Sequence, residues 1–113
     1  MNKINNLIEI SNLYKKFNVK NQQGIELIKN LNFTIKKNSK ISIIGPSGSG
    51  KTTLLNILGL LDKEFRGNFF FKGKDVTLLK ENELNYLRGS SVGFVHQFFH
   101  LIPELTVIEN VML

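Results

Sequence analysis

Eight consecutive residues, Gly45 to Thr52, read GPSGSGKT and satisfy the pattern G-x-x-x-x-G-K-[ST] in full. Each residue type has a task in holding a polyanion. Glycines at 45, 48 and 50 let the backbone turn where a side chain would obstruct it, so successive N–H groups can face one phosphate. A helix expected to start near Lys51 aims the positive end of its dipole at the same anion. Lys51 supplies a mobile positive charge for β- and γ-phosphates, Thr52 a hydroxyl for Mg²⁺, and Thr53 a further hydroxyl near the α-phosphate. With Ser47 and Ser49, these residues form a candidate site for a nucleoside triphosphate and its magnesium ion.

Such a loop functions only between a strand and a helix, and the flanking residues predict both. ISII, residues 41–44, is a short apolar run of the kind covered on both faces. KTTLLNILGLL, which begins at Lys51, is too long and too evenly apolar for a strand, and predicts a helix buried nearly all round. Upstream, Ile8 and Ile10 alternate with Glu9 and Ser11, and Leu31, Phe33 and Ile35 alternate with Asn32, Thr34 and Lys36. Both segments predict half-buried antiparallel strands, separated by the polar loop NVKNQQG. Downstream, GNFFFKGKDV predicts a strand and turn, KENELNYLRG a surface helix closed by Gly89, and SVGFV a further strand. Thr106 and Glu109 have the spacing of a capping box, predicting a helix from Val107.

Composition limits the alternatives. The chain has 113 residues, enough for one small domain, and an ordinary apolar content of 42%. It has no cysteine, which excludes disulfide frameworks and thiolate metal sites. No apolar run approaches a membrane span, and MNKINNLIEI has no secretory signal pattern, so the expectation is a soluble cytosolic protein. The net charge of +6 arises wholly in residues 1–40, where eight lysines face Glu9 and Glu26. Those lysines are scattered among asparagines with no arginine and no aromatic interleaving, and nucleic-acid binding is not expected from them. His96 and His100 stand four apart, but Pro103 and the loop character around them argue against a helix carrying two metal ligands.

The sequence resembles the N-terminal half of the ATP-binding subunit of an ABC transporter, in the branch serving lipoprotein release and macrolide export. The resemblance rests on IGPSGSGKTTLLNILGLLD, on LRGSSVGFVHQFFHLIPELTVIENV and on the spacing between them. It implies an α/β fold: a P-loop NTPase core with an N-terminal antiparallel β subdomain, truncated at the start of the helical subdomain. In this division residues 1–40 form the antiparallel region, 41–62 the phosphate-loop strand and helix, and 91–113 the Q-loop region. The resemblance gives Gln97 the Q-loop role: its side chain approaches Mg²⁺ and holds the attacking water, while the loop after it touches a membrane subunit. It gives Phe17, with Tyr14 as second choice, the role of stacking on adenine.

Three departures are visible. Lys51-Thr52-Thr53 stands where the family usually has Lys-Ser-Thr, which keeps the metal-binding hydroxyl. His96 replaces a frequent aromatic before the glutamine, and Ser39-Lys40 replaces a frequent Gly-Glu. A larger one is that the 113 residues hold no LSGGQ-like signature, no apolar run ending in Asp-Glu and no later switch histidine. The expectation is therefore a fragment of a longer subunit, or a broken copy, that holds ATP and Mg²⁺ but hydrolyses poorly alone. The implied partners are a membrane permease and a second ATP-binding subunit, at the cytoplasmic face of the membrane. The rival readings are a soluble ABC-type ATPase acting on nucleic acid, another P-loop class such as a small kinase or GTPase, and a degenerate non-hydrolysing fragment.

Overall fold

A computed structural model describes residues 5–17, 24–46, 49–95 and 106–111. Two long strands, β1 (Asn6–Phe17) and β2 (Ile25–Lys36), pair antiparallel, as their alternation predicts. β3 (Arg66–Phe71) pairs with the other edge of β1, and β4 (Lys74–Asp75) returns after a two-residue turn. The sheet order is β2-β1-β3-β4, with every pairing antiparallel.

The strand faces follow a period of two until Ile10, after which Leu13 returns to the buried face three residues on. A register shift between Ile10 and Leu13 provides the extra residue, and Asn12 takes φ 53° within it. The amide of Asn12 donates to the Asn32 side chain at 2.9 Å, so the distorted rung keeps a hydrogen bond. The asparagines among the early lysines thus have a structural use.

Among the described residues, α1 (Lys51–Leu58) lies between β2 and β3, and α2 (Glu81–Ser91) and α3 (Val107–Val111) follow the sheet, with a 3₁₀ turn at Val76–Leu78 before α2. The core gathers Ile8, Ile10, Leu13, Ile28, Phe69 and Phe71 from the sheet with Ile57, Leu58 and Leu60 from the end of α1 and Leu84 and Leu87 from α2. Phe69 is fully buried, with Phe65 and Phe71 at ring-centroid distances of 6.1 and 6.4 Å. The three-phenylalanine stretch is packing, as expected.

α1 ends on a Schellman closure with leucine in the glycine position. Leu60 takes φ 66°; its N–H donates to Ile57 at 3.1 Å and that of Leu61 to Asn56 at 2.9 Å. A left-handed leucine costs about 1–2 kcal/mol, which is no more than burial of its side chain returns, at roughly 1.5–3 kcal/mol. Leu60 is 2% exposed, and Arg88 of α2 donates to its carbonyl at 2.7 Å.

Four local expectations are corrected. Residues 41–46 carry no strand, and Ile41, Ile43 and Ile44 are 55%, 37% and 93% exposed. A doubly covered strand needs a neighbouring ladder, and no strand among the described residues lies beside it. Residues 92–95 likewise form no strand, and Val95 is exposed. α1 is buried only near its end, at Ile57 and Leu58, while Leu55 is half exposed. α2 does not stop at Gly89 but continues to Ser91, before Val92 takes an extended conformation.

The capping box forms as its spacing predicts. Thr106 N–H donates to the Glu109 carboxylate at 2.9 Å, and Glu109 N–H donates to the Thr106 hydroxyl at 3.2 Å. The Thr106 backbone, and after it the Thr106 side chain, hold the Glu109 carboxyl below its ordinary value. A lowered folded value means that the contact contributes above the unfolded pKa and is lost as pH falls through the folded one. The expected result is a loss of amide protection at Thr106 and Glu109 as acidification passes below the ordinary glutamate range, followed by NMR.

Candidate phosphate-binding site

The site is built where β2, the 45–53 loop and α1 meet. Gly50 caps α1 with φ 92° and ψ 10°, a left-handed geometry, and its carbonyl accepts the first helical bond from Leu54 at 2.9 Å. No side chain among the described residues caps this end, and the first turn has no acidic residue. The early N–H groups of α1 are therefore offered to an anion rather than to the protein's own carboxylates. Upstream, the Ser49 N–H donates to Pro46 at 3.2 Å, closing a turn. The Lys51 ammonium bends back to donate to the Gly45 carbonyl, so its charge lies across the loop.

A cleft of about 380 Å³ opens beside this loop, lined by Leu27, Ile43, Gly45, Ser49, Gly50 and Lys51 among others. A Cβ built on Gly45 would stand 2.8 Å from the Ser49 hydroxyl, so the turn closes tightly at its glycine. Lys51 and Thr53 are half-buried and Thr52 is exposed, within one turn of helix. Backbone amides, one ammonium and adjacent hydroxyls are the donor set that a triphosphate with a hard divalent cation requires. The residues present fit ATP and Mg²⁺.

The structure brings Phe17 to the same end of the hairpin. Phe17 pairs with Ile25, Lys16 with Glu26 and Lys15 with Ile28, which leaves Leu27 as a bulge between rungs. That bulge meets the phosphate loop: a Cβ on Gly50 would stand 2.8 Å from the Leu27 carbonyl. Phe17 is 56% exposed, a large aromatic open to solvent on the second rung beyond the Leu27 bulge. Tyr14, the second choice, stands opposite Arg66 of β3 and lines a separate cleft with Lys15, Glu64 and Phe65. Ser47, Gly48, Gln97, His96 and His100 lie outside the described residues. Among the described residues, no group of histidine, aspartate and glutamate side chains is arranged to hold a metal ion.

Two contacts had no signal in the sequence. Phe94 packs on Gly59, where a Cβ would meet its ring at 2.0 Å, so the segment leading to Gln97 rests on the end of α1. Lys15 of β1 pairs with Asp62, just past α1, at 2.9 Å. Both involve residues far apart in the chain, and no local pattern marks them.

An antiparallel sheet, a glycine-rich loop opening a helix, and the donors collected there define a P-loop nucleotide-binding fold. Comparison with known proteins places it more narrowly. Residues 28–112 match the family described as ABC transporter, and the chain belongs to that family. It is 52% identical over 90 residues to the lipoprotein-releasing system ATP-binding protein LolD of Aquifex aeolicus, covering 80% of this chain and 40% of that protein. It is 44% identical over 105 residues to the macrolide export ATP-binding/permease protein MacB of Shewanella sp. strain W3-18-1, covering 93% of this chain and 16% of that one. A dimeric post-hydrolysis structure of the ATP-binding cassette MJ0796, bound to ADP and Pi, superposes with a TM-score of 0.85 at 42% identity, over 94% of this chain and 45% of that one. The chain thus spans less than half the length of the relatives it matches. The fold is that of an ABC-type ATPase: an N-terminal antiparallel β subdomain joined to P-loop core elements.

Proposed function

We propose that the chain is the nucleotide-holding part of an ABC transporter ATP-binding subunit, which couples ATP binding and hydrolysis to movement of a substrate through a membrane permease. The observation that carries this reading is the start of α1: an uncapped helix N-terminus, a left-handed Gly50 and the Lys51 ammonium meet at one loop. Gly45, Ser47, Gly48, Ser49 and Gly50 would present backbone donors to the phosphates. Lys51 would move its ammonium from the Gly45 carbonyl onto β- and γ-phosphate oxygens, a short exchange of one oxygen acceptor for charged ones. Thr52 would offer its hydroxyl to Mg²⁺, and Thr53 would approach the α-phosphate. When bound, the ion neutralises charge on the β- and γ-phosphates.

Phe17 supplies an aromatic face for adenine, and its proximity to the Leu27 bulge favours it over Tyr14. Gln97 would complete the Mg²⁺ and water contacts and link the site to the permease through the loop that follows. Residues 1–40, 41–62 and 91–113 then serve as base platform, phosphate loop and coupling segment. The remaining catalytic parts and the contact sandwiching ATP would come from the rest of the subunit and from a second copy. The dimeric cassette structure supports this reading. The names of the LolD and MacB relatives support transport, on the cytoplasmic side of the membrane where ATP is available, over a role on nucleic acid. No helix among the described residues is long and apolar enough to cross a membrane.

The test is calorimetric titration of the chain with ATP and with AMP, each with and without Mg²⁺. The expected result is Mg²⁺-enhanced binding of ATP and at least about tenfold weaker binding of AMP, which lacks the phosphates that Lys51 addresses. Equal affinity for the two would overturn the phosphate-loop reading.

A further inference from the structure

We infer that Lys15 is a positioning residue for the nucleotide base: its pair with Asp62 fixes the end of β1, and with it Phe17, relative to the phosphate loop. The inference rests on the base-stacking reading of Phe17.

Lys15 Nζ lies 2.9 Å from the Asp62 carboxylate and donates to the Glu64 carbonyl at 2.5 Å. The side chains of Lys15 and Asp62 are 10% and 25% exposed. Lysine is rarely this buried without a partner, and exposed ion pairs contribute little to stability. This pair is largely removed from water, so losing either member strands a charge. The pair is therefore a firm attachment rather than a passing surface contact.

Its place in the fold gives it a direction. Asp62 follows the end of α1, whose eight residues rise about 12 Å. At the other end of the helix, Gly50 presses on the carbonyl of Leu27. On the hairpin these two attachments adjoin, at Lys15 and at the bulged Leu27, with the Lys16–Glu26 rung between them and the rung where Phe17 meets Ile25. The end of α1 is already seated in the core through Ile57, Leu58 and Leu60, and the Lys15–Asp62 pair joins that seated end to the last residues of β1. The Gly50 contact keeps the phosphate loop on β2 whether or not Lys15 is present. The Lys15–Asp62 tie holds the end of β1, and with it Phe17, on the frame that α1 and the core provide. Its loss weakens the grip on the base while leaving the grip on the phosphates.

The experiment compares calorimetric titration of Mg²⁺-ATP with that of Mg²⁺-tripolyphosphate, which has no base. The proteins are the unaltered chain, Lys15→Met, Lys15→Arg, Asp62→Asn, Phe17→Ala and the Lys15→Met/Phe17→Ala double variant. Lys15→Met is expected to weaken ATP about tenfold and tripolyphosphate by no more than about twofold. The double variant should bind ATP no more weakly than Phe17→Ala, and Lys15→Arg should recover most of the loss. Asp62→Asn removes the charge while keeping the acceptor's shape, and gives the same pattern with less perturbation of the fold. Equal losses for both ligands, unchanged ATP affinity in Lys15→Met and Asp62→Asn, or additive losses in the double variant would each overturn the inference. If Phe17→Ala leaves ATP affinity unchanged, the stacking reading itself fails. If Phe17→Ala weakens ATP and neither Lys15→Met nor Asp62→Asn does, the Lys15 inference alone fails.

Discussion

Replacement of Lys51 by alanine is expected to weaken Mg²⁺-ATP binding by at least about a hundredfold, while costing only about 1 kcal/mol of folding stability. Two charge-assisted hydrogen bonds to phosphate contribute about 1.5–3 kcal/mol each, and together exceed the roughly 2.7 kcal/mol that a hundredfold requires. The stability side is smaller. In the structure the ammonium makes one hydrogen bond, to the Gly45 carbonyl, at a half-buried position. Losing a bond of that kind costs about 1 kcal/mol, which moves the midpoint of a domain this size by only about 4–8 °C. Affinity and Tm therefore separate. Lys51→Arg keeps the charge but replaces a compact ammonium with a planar fork, and is expected to fall between the two. Calorimetry gives the affinities and circular dichroism the melting. Equal ATP affinity in Lys51→Ala and the unaltered chain would remove the phosphate-loop assignment.

The motif of this loop can be read in the sequence because it is contiguous: the chemistry proposed for it depends on neighbours in the chain, and eight letters carry it. The strands were legible for a related reason: alternation in β1 and β2 reports one covered face, and β3 is marked by its phenylalanines between Gly67 and Gly73. Ile41 to Ile44 read as a buried strand because their composition is that of one. Composition records a preference for burial, but a strand exists only where another backbone supplies its ladder. Among the described residues no such backbone lies beside it, and those isoleucines face solvent. The Phe94-Gly59 seat and the Lys15–Asp62 pair were invisible for a different reason. They join distant parts of the chain through single side chains, and neither a period nor a composition change announces them. The bulges at Asn12 and Leu27 belong with these, since a one-residue shift of register leaves little trace in an alternating pattern. Membership of the ABC transporter family rested on longer blocks, and the comparisons agree with it.

Gly50→Ala is expected to damage fold and site together, which Lys51→Ala does not. At φ 92° an L-residue at position 50 carries about 1–2 kcal/mol of backbone strain. The added Cβ would also stand 2.8 Å from the Leu27 carbonyl, a backbone atom in the bulge that cannot swing aside as a side-chain tip would. Either the start of α1 or the bulge of β2 must move, and the two costs together reach about 3 kcal/mol, or a fall in Tm of roughly 12–24 °C. Movement of the α1 start turns its first N–H groups away from the loop, so ATP affinity should fall at least about tenfold even well below the melting midpoint. Gly73→Ala separates the two causes. Gly73 has φ 78° but nothing within 4 Å of an added Cβ, so it carries the strain without the collision and lies outside the phosphate loop. Its expected loss is about 1–2 kcal/mol, with ATP affinity unchanged. A Gly50→Ala chain that melts no lower than Gly73→Ala and binds ATP as the unaltered chain does would mean that the Gly50–Leu27 contact does not set the phosphate loop.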